Sequence, residues 1–366
     1  MPHSIKKSKL LLINELIADP DRKSILNIMS DMLSLTLYHK SFPRYYFSRY
    51  LFKKGRTNIK DYFSNEFLYY KFKPRFNDNT ASDIVENKLF FDFYFSQFDI
   101  SLPKVLLYNQ KNIFVKENAA FEINSIHEFR HQLEIIFNQN PTYRSIFIKR
   151  TCGSYGGDQV FRITPIQLAT ENESMANLFS EVTKSGFLFQ ETILQHPELN
   201  RLNPSCINTI RFDTFIDKEG QVEIMSAYLR MSTNNKHVDN ISSGGCLVGI
   251  NLLTGKLRKD GYPGFSASGT IIYSCHPVTK TVFEGFTIPY FEEAKKMVLR
   301  AAGLVPGLRL MGWDVAISES GPVIVEGNSD YNMVGNDLSE GGFLTNATFR
   351  KMLAEASLLR KTHSSG

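Results

Sequence analysis

The chain has 366 residues, 42% hydrophobic and 13% aromatic, enough to bury a sizeable core in two or three domains. Its net charge of +5 is uneven: residues 1–75 hold 15 Lys and Arg against 6 Asp and Glu, and the remainder holds 27 against 31. No apolar run approaches the ~18–20 residues that span a bilayer, the opening MPHSIKKSKLLLINELIA has too short an apolar core for a secretory leader, and four scattered cysteines without a CxxC argue against a disulfide framework or zinc site, so a cytoplasmic protein with reduced thiols is expected.

Residues 1–75 read as several helices broken at Asp19-Pro20, Ser41-Phe42-Pro43 and Lys54-Gly55-Arg56. Basic and aromatic residues interleave in FPRYYFSRYLFKKGR, which fits contact with an anionic membrane or polymer. The preferred reading is a helical cap whose Tyr and Phe pack on the body while Lys and Arg snorkel. Nothing here resembles a nucleic-acid module, and no nucleic-acid partner is expected. The turn-rich KPRFNDNTASD sets a boundary, so that 1–75 is a cap, 76–189 a first lobe with its leading segment, and 190–361 a second lobe.

Asn87-Lys88 opens a periodic helix, LFFDFYFSQF, and ISLPKVLLYN then begins a strand with Lys104 just behind its proline. Lys104 suits either a nucleotide contact or a solvated strand start. A helix over Ser125–Asn138 leads to strand SIFIK, whose Lys149 precedes Gly153-Ser154-Tyr155-Gly156-Gly157 and a second strand. Glycine tolerates positive φ and removes obstructing side chains, so such a hairpin can fold its N–H groups over phosphate oxygens while Lys149 adds a point charge. The same string also makes a plain tight turn. Neither a Walker loop nor a dinucleotide fingerprint is present.

After a helix over 166–184, strand FLFQETI ends in Gln190 and Glu191, an apolar wall with polar residues that suits an adenine, with His196 beyond it for a ribose. INTIRFDTFID, QVEIMSAYLRM and CLVGINLLTGKL form antiparallel strands. Arg211 and Arg230 alternate with apolar neighbours and share a sheet face. They can pair with surface carboxylates or neutralise charge on a transferred phosphoryl group or tetrahedral intermediate. Asn208, which opens the Arg211 strand, is a candidate substrate contact, and the loop after Arg230, with Asp239, Asn240, Gly244 and Gly245, has the polarity and backbone freedom of a substrate loop.

A helix over Tyr290–Ala302 precedes MGWDVAISESGPVIVEGN, and a last helix near 345–360 follows it. Both arms of that string are strand-like around the turn Ser318-Glu319-Ser320-Gly321. With the loop centred on Ser320, Asp314 lies opposite Glu326, and Asn328 is the next residue on that face. This clusters hard oxygens suited to Mg²⁺, whereas a loop one residue shorter or longer turns Asp314 away.

The order of these pieces over roughly residues 85–350 resembles ATP-grasp enzymes, and most closely the sugar-transfer-associated ATP-grasp family found beside polysaccharide biosynthesis genes. Ribosomal-protein glutamate ligases are more distant relatives. The resemblance implies an α+β fold of two lobes clasping ATP, with Asp314, Glu326 and Asn328 holding two Mg²⁺, or Mn²⁺, against the phosphates. It implies that Glu191 and the backbone near Ile193 meet the adenine. It further implies ligation of a small-molecule or glycan-linked carboxylate to an amine through an acyl phosphate, with a sugar kinase or a non-catalytic nucleotide-binding subunit as alternatives. One departure stands out: some amino-acid ligases of the superfamily carry an arginine two residues before the metal Asp, where this chain has Gly312. That role falls to Arg211 or Arg230, or is absent.

Overall fold

The computed structural model describes residues 7–117, 119–153, 159–170, 172–233 and 244–357. Two six-stranded antiparallel sheets organise them. In the first, β1 (Val105–Gln110), β2 (Ile113–Lys116), β3 (Ala119–Glu122), β4 (Ile146–Arg150), β5 (Val160–Ile163) and β6 (Gly186–Glu191) run in the order β3-β2-β1-β6-β4-β5. In the second, β7 (Thr209–Ile216), β8 (Val222–Ser232), β9 (Gly245–Asn251), β10 (Lys256–Pro263), β11 (Leu310–Ser318) and β12 (Gly321–Asn328) run β10-β9-β8-β7-β11-β12.

Alternation of side chains gives each strand two faces. In the first sheet Ile146, Ile148, Phe187 and Phe189 enter a core with Phe129, Leu133 and Leu178 from the covering helices. Helix Ile126–Gln139 begins with a capping box, Ser125 and Glu128 each bonding the other's backbone, which satisfies N–H groups left over at a helix start. The helix expected over 166–184 is formed by Pro165–Thr170 and Asn172–Val182. The β2–β3 hairpin was not expected. It follows a tight turn in which Lys111 takes φ +57°, a conformation more usual for glycine or asparagine.

The second sheet is covered on both faces. On one, Ile210, Phe212, Leu229, Trp313 and Val315 pack against helices Phe291–Gly303 and Lys88–Phe95. Residues 77–95, grouped with the first lobe on sequence, pack here instead. Asn77 bonds the backbone of Leu310 on both sides (2.8 Å each), and Glu86 accepts from the N–H groups of Ser329 and Asp330 (2.8 and 3.0 Å).

The amino-terminal cap covers part of the other face, with helices Lys9–Ala18 and Ile25–His39 ending at the expected breaks. Tyr46, Tyr50, Leu51 and Phe52 cluster with Tyr228, Leu247 and Tyr262 of the sheet. Its deepest anchor is Arg49, whose Nε donates to Asp337 Oδ2 at 2.8 Å with both side chains fully buried. The N–H groups of Phe63 and Phe343 also donate to Asp337, so this buried charge is paired and solvated by backbone dipoles.

Candidate active site

The β7 residues Thr209, Arg211 and Asp213 alternate with the core residues Ile210 and Phe212, so the polar set projects from the face opposite the Trp313 core. Registers across four strands assemble rows from it. Tyr228, Arg211, Asp314 and Glu326 form one row across β8, β7, β11 and β12, and Ser226, Asp213, Gly312 and Asn328 form the next. Arg230 lies opposite Thr209, in the row on the other side of the Arg211 row.

Asp314 faces Glu326 as expected, through the expected turn but not with the loop centred on Ser320. Ser318 pairs with Gly321, leaving the two-residue loop Glu319-Ser320, and Val315 pairs with Ile324. A bulge between Asp314 and Val315 then accommodates the extra residue Val325 and restores the Asp314–Glu326 pair. Without it, Glu326 would lie on the opposite face.

Arg211 grips Asp314 with two hydrogen bonds, Nε to Oδ1 at 2.6 Å and Nη2 to Oδ2 at 3.1 Å. Arg230 Nη2 donates to the same Oδ2 at 2.7 Å and braces itself on Thr209 Oγ1. Burial alone would raise the Asp314 carboxyl, but the two guanidinium charges and their hydrogen bonds outweigh it and hold the acid well below the usual carboxylate range. Glu326 moves the opposite way: burial pushes it up, and the neighbouring Asp314 charge pushes further. Beneath this row, burial lifts the Asp213 carboxyl to about 7 against the pull of Arg211.

Glycine at 312 has a steric explanation. A Cβ there would lie 3.1 Å from the Tyr331 ring and 3.3 Å from Arg211 Cδ, so the space above Gly312 already holds the Arg211 stem and the tyrosine. Tyr331 stacks over the Arg211 guanidinium at 5.4 Å and is itself held by Lys73 at the end of the cap, which donates to its carbonyl at 2.8 Å.

The first lobe contributes from the face of its sheet turned away from the helices, where Lys149 pairs with Leu188 and Phe147 with Gln190. Burial lowers the Lys149 ammonium to about 8; Glu326 of the second lobe opposes that shift, and Lys88 adds to it. Lys88 was not singled out as a site residue. Its Nζ stands 3.8 Å from Glu326 Oε2, and its N–H donates to Thr151 just beyond β4 at 2.7 Å. The available sequence signal was its place at the start of a helix capped by Asn87.

Other expected positions fall differently. Both carboxylate oxygens of Glu191 are engaged, by the Lys104 N–H at 3.0 Å and the Tyr143 hydroxyl at 2.9 Å, while the Lys104 side chain is exposed. His196 caps helix Pro197–Leu202 through Nδ1 and packs edge-on against Tyr290. Asn208 is a correction: it is fully buried, and its amide donates to the carbonyls of Leu199 and Asn203, so it shapes the start of β7 and does not present its side chain to a substrate. Ile193 is half-buried beyond β6, Gly153 is exposed at φ +68°, and Gly244, at φ +98°, accepts from Thr233 just before Gly245 opens β9. Ser154, Tyr155, Gly156, Gly157, Asp239 and Asn240 lie outside the described residues.

The residues present fit a divalent cation. The Asp314 charge raises the cost of ionising its neighbour Glu326, which a cation would relieve. Asp314 Oδ1 takes one hydrogen bond from Arg211, whereas Oδ2 is occupied by both arginines. Asn328 shares the strand face of Glu326, and its buried amide nitrogen lacks a hydrogen-bond partner. Among the described residues no group of three or more His, Cys, Asp and Glu is placed to hold a metal.

The family model for sugar-transfer associated ATP-grasp proteins matches residues 68–351. The chain belongs to that family. The matched region therefore begins within the last residues of the 1–75 cap and ends in helix Ala347–Glu355. No curated protein matches the chain. Among solved structures it is similar to D-alanyl-alanine synthetase A from Vibrio cholerae, with 14% identity, TM-score 0.44, and coverage of 77% of this chain and 68% of that one. It is also similar to a biotin carboxylase–β-γ-ATP complex from Campylobacter jejuni (9%, 0.46, 79% and 49%). A third is the biotin carboxylase domain of a Hydrogenobacter thermophilus 2-oxoglutarate carboxylase, in complex with MgADP, ADP and bicarbonate (12%, 0.40, 77% and 47%). The chain spans about half the length of these two carboxylases.

Proposed function

We propose that this ATP-grasp protein is an ATP- and Mg²⁺-dependent carboxylate–amine ligase that works through an acyl phosphate on a small-molecule or glycan-linked substrate in surface polysaccharide or glycoconjugate biosynthesis. The observation that carries the reading is the Arg211–Asp314–Glu326 row, braced by Arg230 and facing Lys149 and Lys88 from the neighbouring segments. Lys149 and Lys88 attract nucleotide phosphates into the cleft, and Phe147 and Leu188 line its apolar side. Asp314, Glu326 and Asn328 would hold Mg²⁺, which supplies charge neutralisation across the β- and γ-phosphates when bound.

Arg211 and Arg230 are fixed in advance by Asp314, so their positive charge needs little reorganisation as the substrate carboxylate attacks the γ-phosphorus and ADP departs. The amine then attacks the acyl carbon, phosphate leaves, and the amine loses a proton. Positioning and electrostatics account for this sequence without a side-chain nucleophile. The family's name, with its sugar-transfer association, supports the polysaccharide setting. The test is ADP release with carboxylate and amine pairs from such a pathway. Ligation requires both partners together with Mg²⁺ and leaves free phosphate; ADP formed with a sugar hydroxyl alone, yielding a stable phosphoester, would replace the proposal with a kinase.

A further inference from the structure

Helix Ile25–His39 has apolar residues on opposite sides. Ile28 and Leu35 are buried against the body, while Leu26, Met29, Leu33 and Leu37 follow one another at helical spacing and are 78%, 63%, 62% and 72% exposed. A surface helix facing water ordinarily carries polar and charged residues along that line. Helix Lys9–Ala18 repeats the pattern: none of its residues is buried, and Leu10, Ile13 and Ile17 are exposed.

The charge around these helices is one-sided. Asp31 accepts from Lys23 at 2.6 Å and Tyr46 at 2.7 Å, Asp19 from Lys53 at 2.6 Å, and Glu15 is held by Lys7. Asp21 reaches Lys53 at 4.0 Å. Lys40, which caps the apolar helix, and Arg44, two residues beyond the exposed Phe42, are exposed and meet no carboxylate among the described residues. An open apolar stripe ending in uncompensated cations is complementary to an anionic lipid surface. A second copy of this chain would bring the same cations to the same face. No helix of the described residues is long and apolar enough to cross a membrane, so the fit is to the plane of the interface.

We infer that the amino-terminal cap docks on an anionic bilayer, with helix Ile25–His39 lying in the interface, Leu26, Met29, Leu33 and Leu37 among the acyl chains, and Lys40 and Arg44 at the lipid phosphates. The test is flotation of the full chain with vesicles of phosphatidylcholine alone and of phosphatidylcholine with phosphatidylglycerol. Binding is expected to the anionic vesicles and to weaken with salt. The quadruple change Leu26→Gln, Met29→Gln, Leu33→Gln and Leu37→Gln lowers partitioning by about tenfold or more at an unchanged melting temperature, because the positions are exposed. The pair Lys40→Gln and Arg44→Gln weakens binding to the anionic vesicles only, and Met29→Gln with Leu37→Gln serves as the milder apolar variant. Absence of wild-type binding to either vesicle overturns the inference. So does undiminished binding by the apolar variants, or dimerisation in light scattering that consumes the stripe without vesicle binding.

Discussion

The two sheets share strand number and antiparallel order but differ in cover. Every residue of β7 and β11 is buried, whereas β3 has none buried. In the second sheet, charged side chains can therefore be held by one another: Arg211, Asp314 and Arg230 form a closed set of charge-assisted bonds, and Tyr331, gripped by Lys73, keeps Arg211 in place. The first sheet gives its core to helices on one side and contributes Lys149 on the other. Rigid, preorganised chemistry thus sits in the second sheet, and the first sheet supplies Lys149, the cation that we propose faces the nucleotide phosphates.

The sharpest way to break this division is Glu326→Gln, which keeps size and removes the charge proposed to hold the metal. ADP formation should be abolished. Because burial and Asp314 raise the Glu326 pKa in the fold, ionised Glu326 costs stability above its unfolded pKa, so the melting temperature should hold or rise. A lowered melting temperature would show that Glu326 is structural. Next, Arg49→Met leaves Asp337 buried without its cation and should cost about 3–5 kcal/mol, measured by denaturant unfolding. A loss below about 1 kcal/mol, within the range of ordinary substitutions, would mean that the cap is not what closes the second sheet.

Arg230→Met should leave nucleotide affinity nearly intact and lower kcat by about 10²–10³-fold, equivalent to about 2.7–4 kcal/mol. Unchanged turnover would return Arg230 to a purely structural brace for Asp314. Lys149 probes the other sheet. Its pKa is depressed to about 8, and phosphates favour the protonated form, so ATP binding takes up a proton and affinity should fall as pH rises through 8, by up to about tenfold per pH unit. Calorimetry across that range checks it, and Lys149→Arg should flatten the profile because a guanidinium stays charged. The smallest effect is expected at exposed Lys104, where alanine should change stability by no more than about 0.5 kcal/mol.

Local chemistry made much of this protein legible. Alternation in NTIRFDTF and AYLRM placed two arginines on one sheet face, and Asp-Pro, Phe-Pro and Gly-Arg breaks divided the cap, because periodicity and backbone restriction act over a few residues. The glycine string after Lys149 and the strand that follows it gave the β4–β5 hairpin on the same grounds. Asn208 and Lys88 were less legible because burial and proximity belong to the packed state: one amide is consumed by carbonyls at the end of the preceding helix, and one lysine is carried to Glu326 by a helix that packs through Phe91 against Gly327. The Asp314–Glu326 pairing lies between the two cases. Strand propensity and a turn announce the hairpin, but the face on which Glu326 lies depends on the bulge at Val325, which adds a residue to one strand and which no local propensity specifies. The amino acids by themselves determined which segments alternate and which chemistry they carry; packing of the cap and of residues 77–95 around the second sheet decided which of those groups meet, since long-range contacts alone bring them within bonding distance.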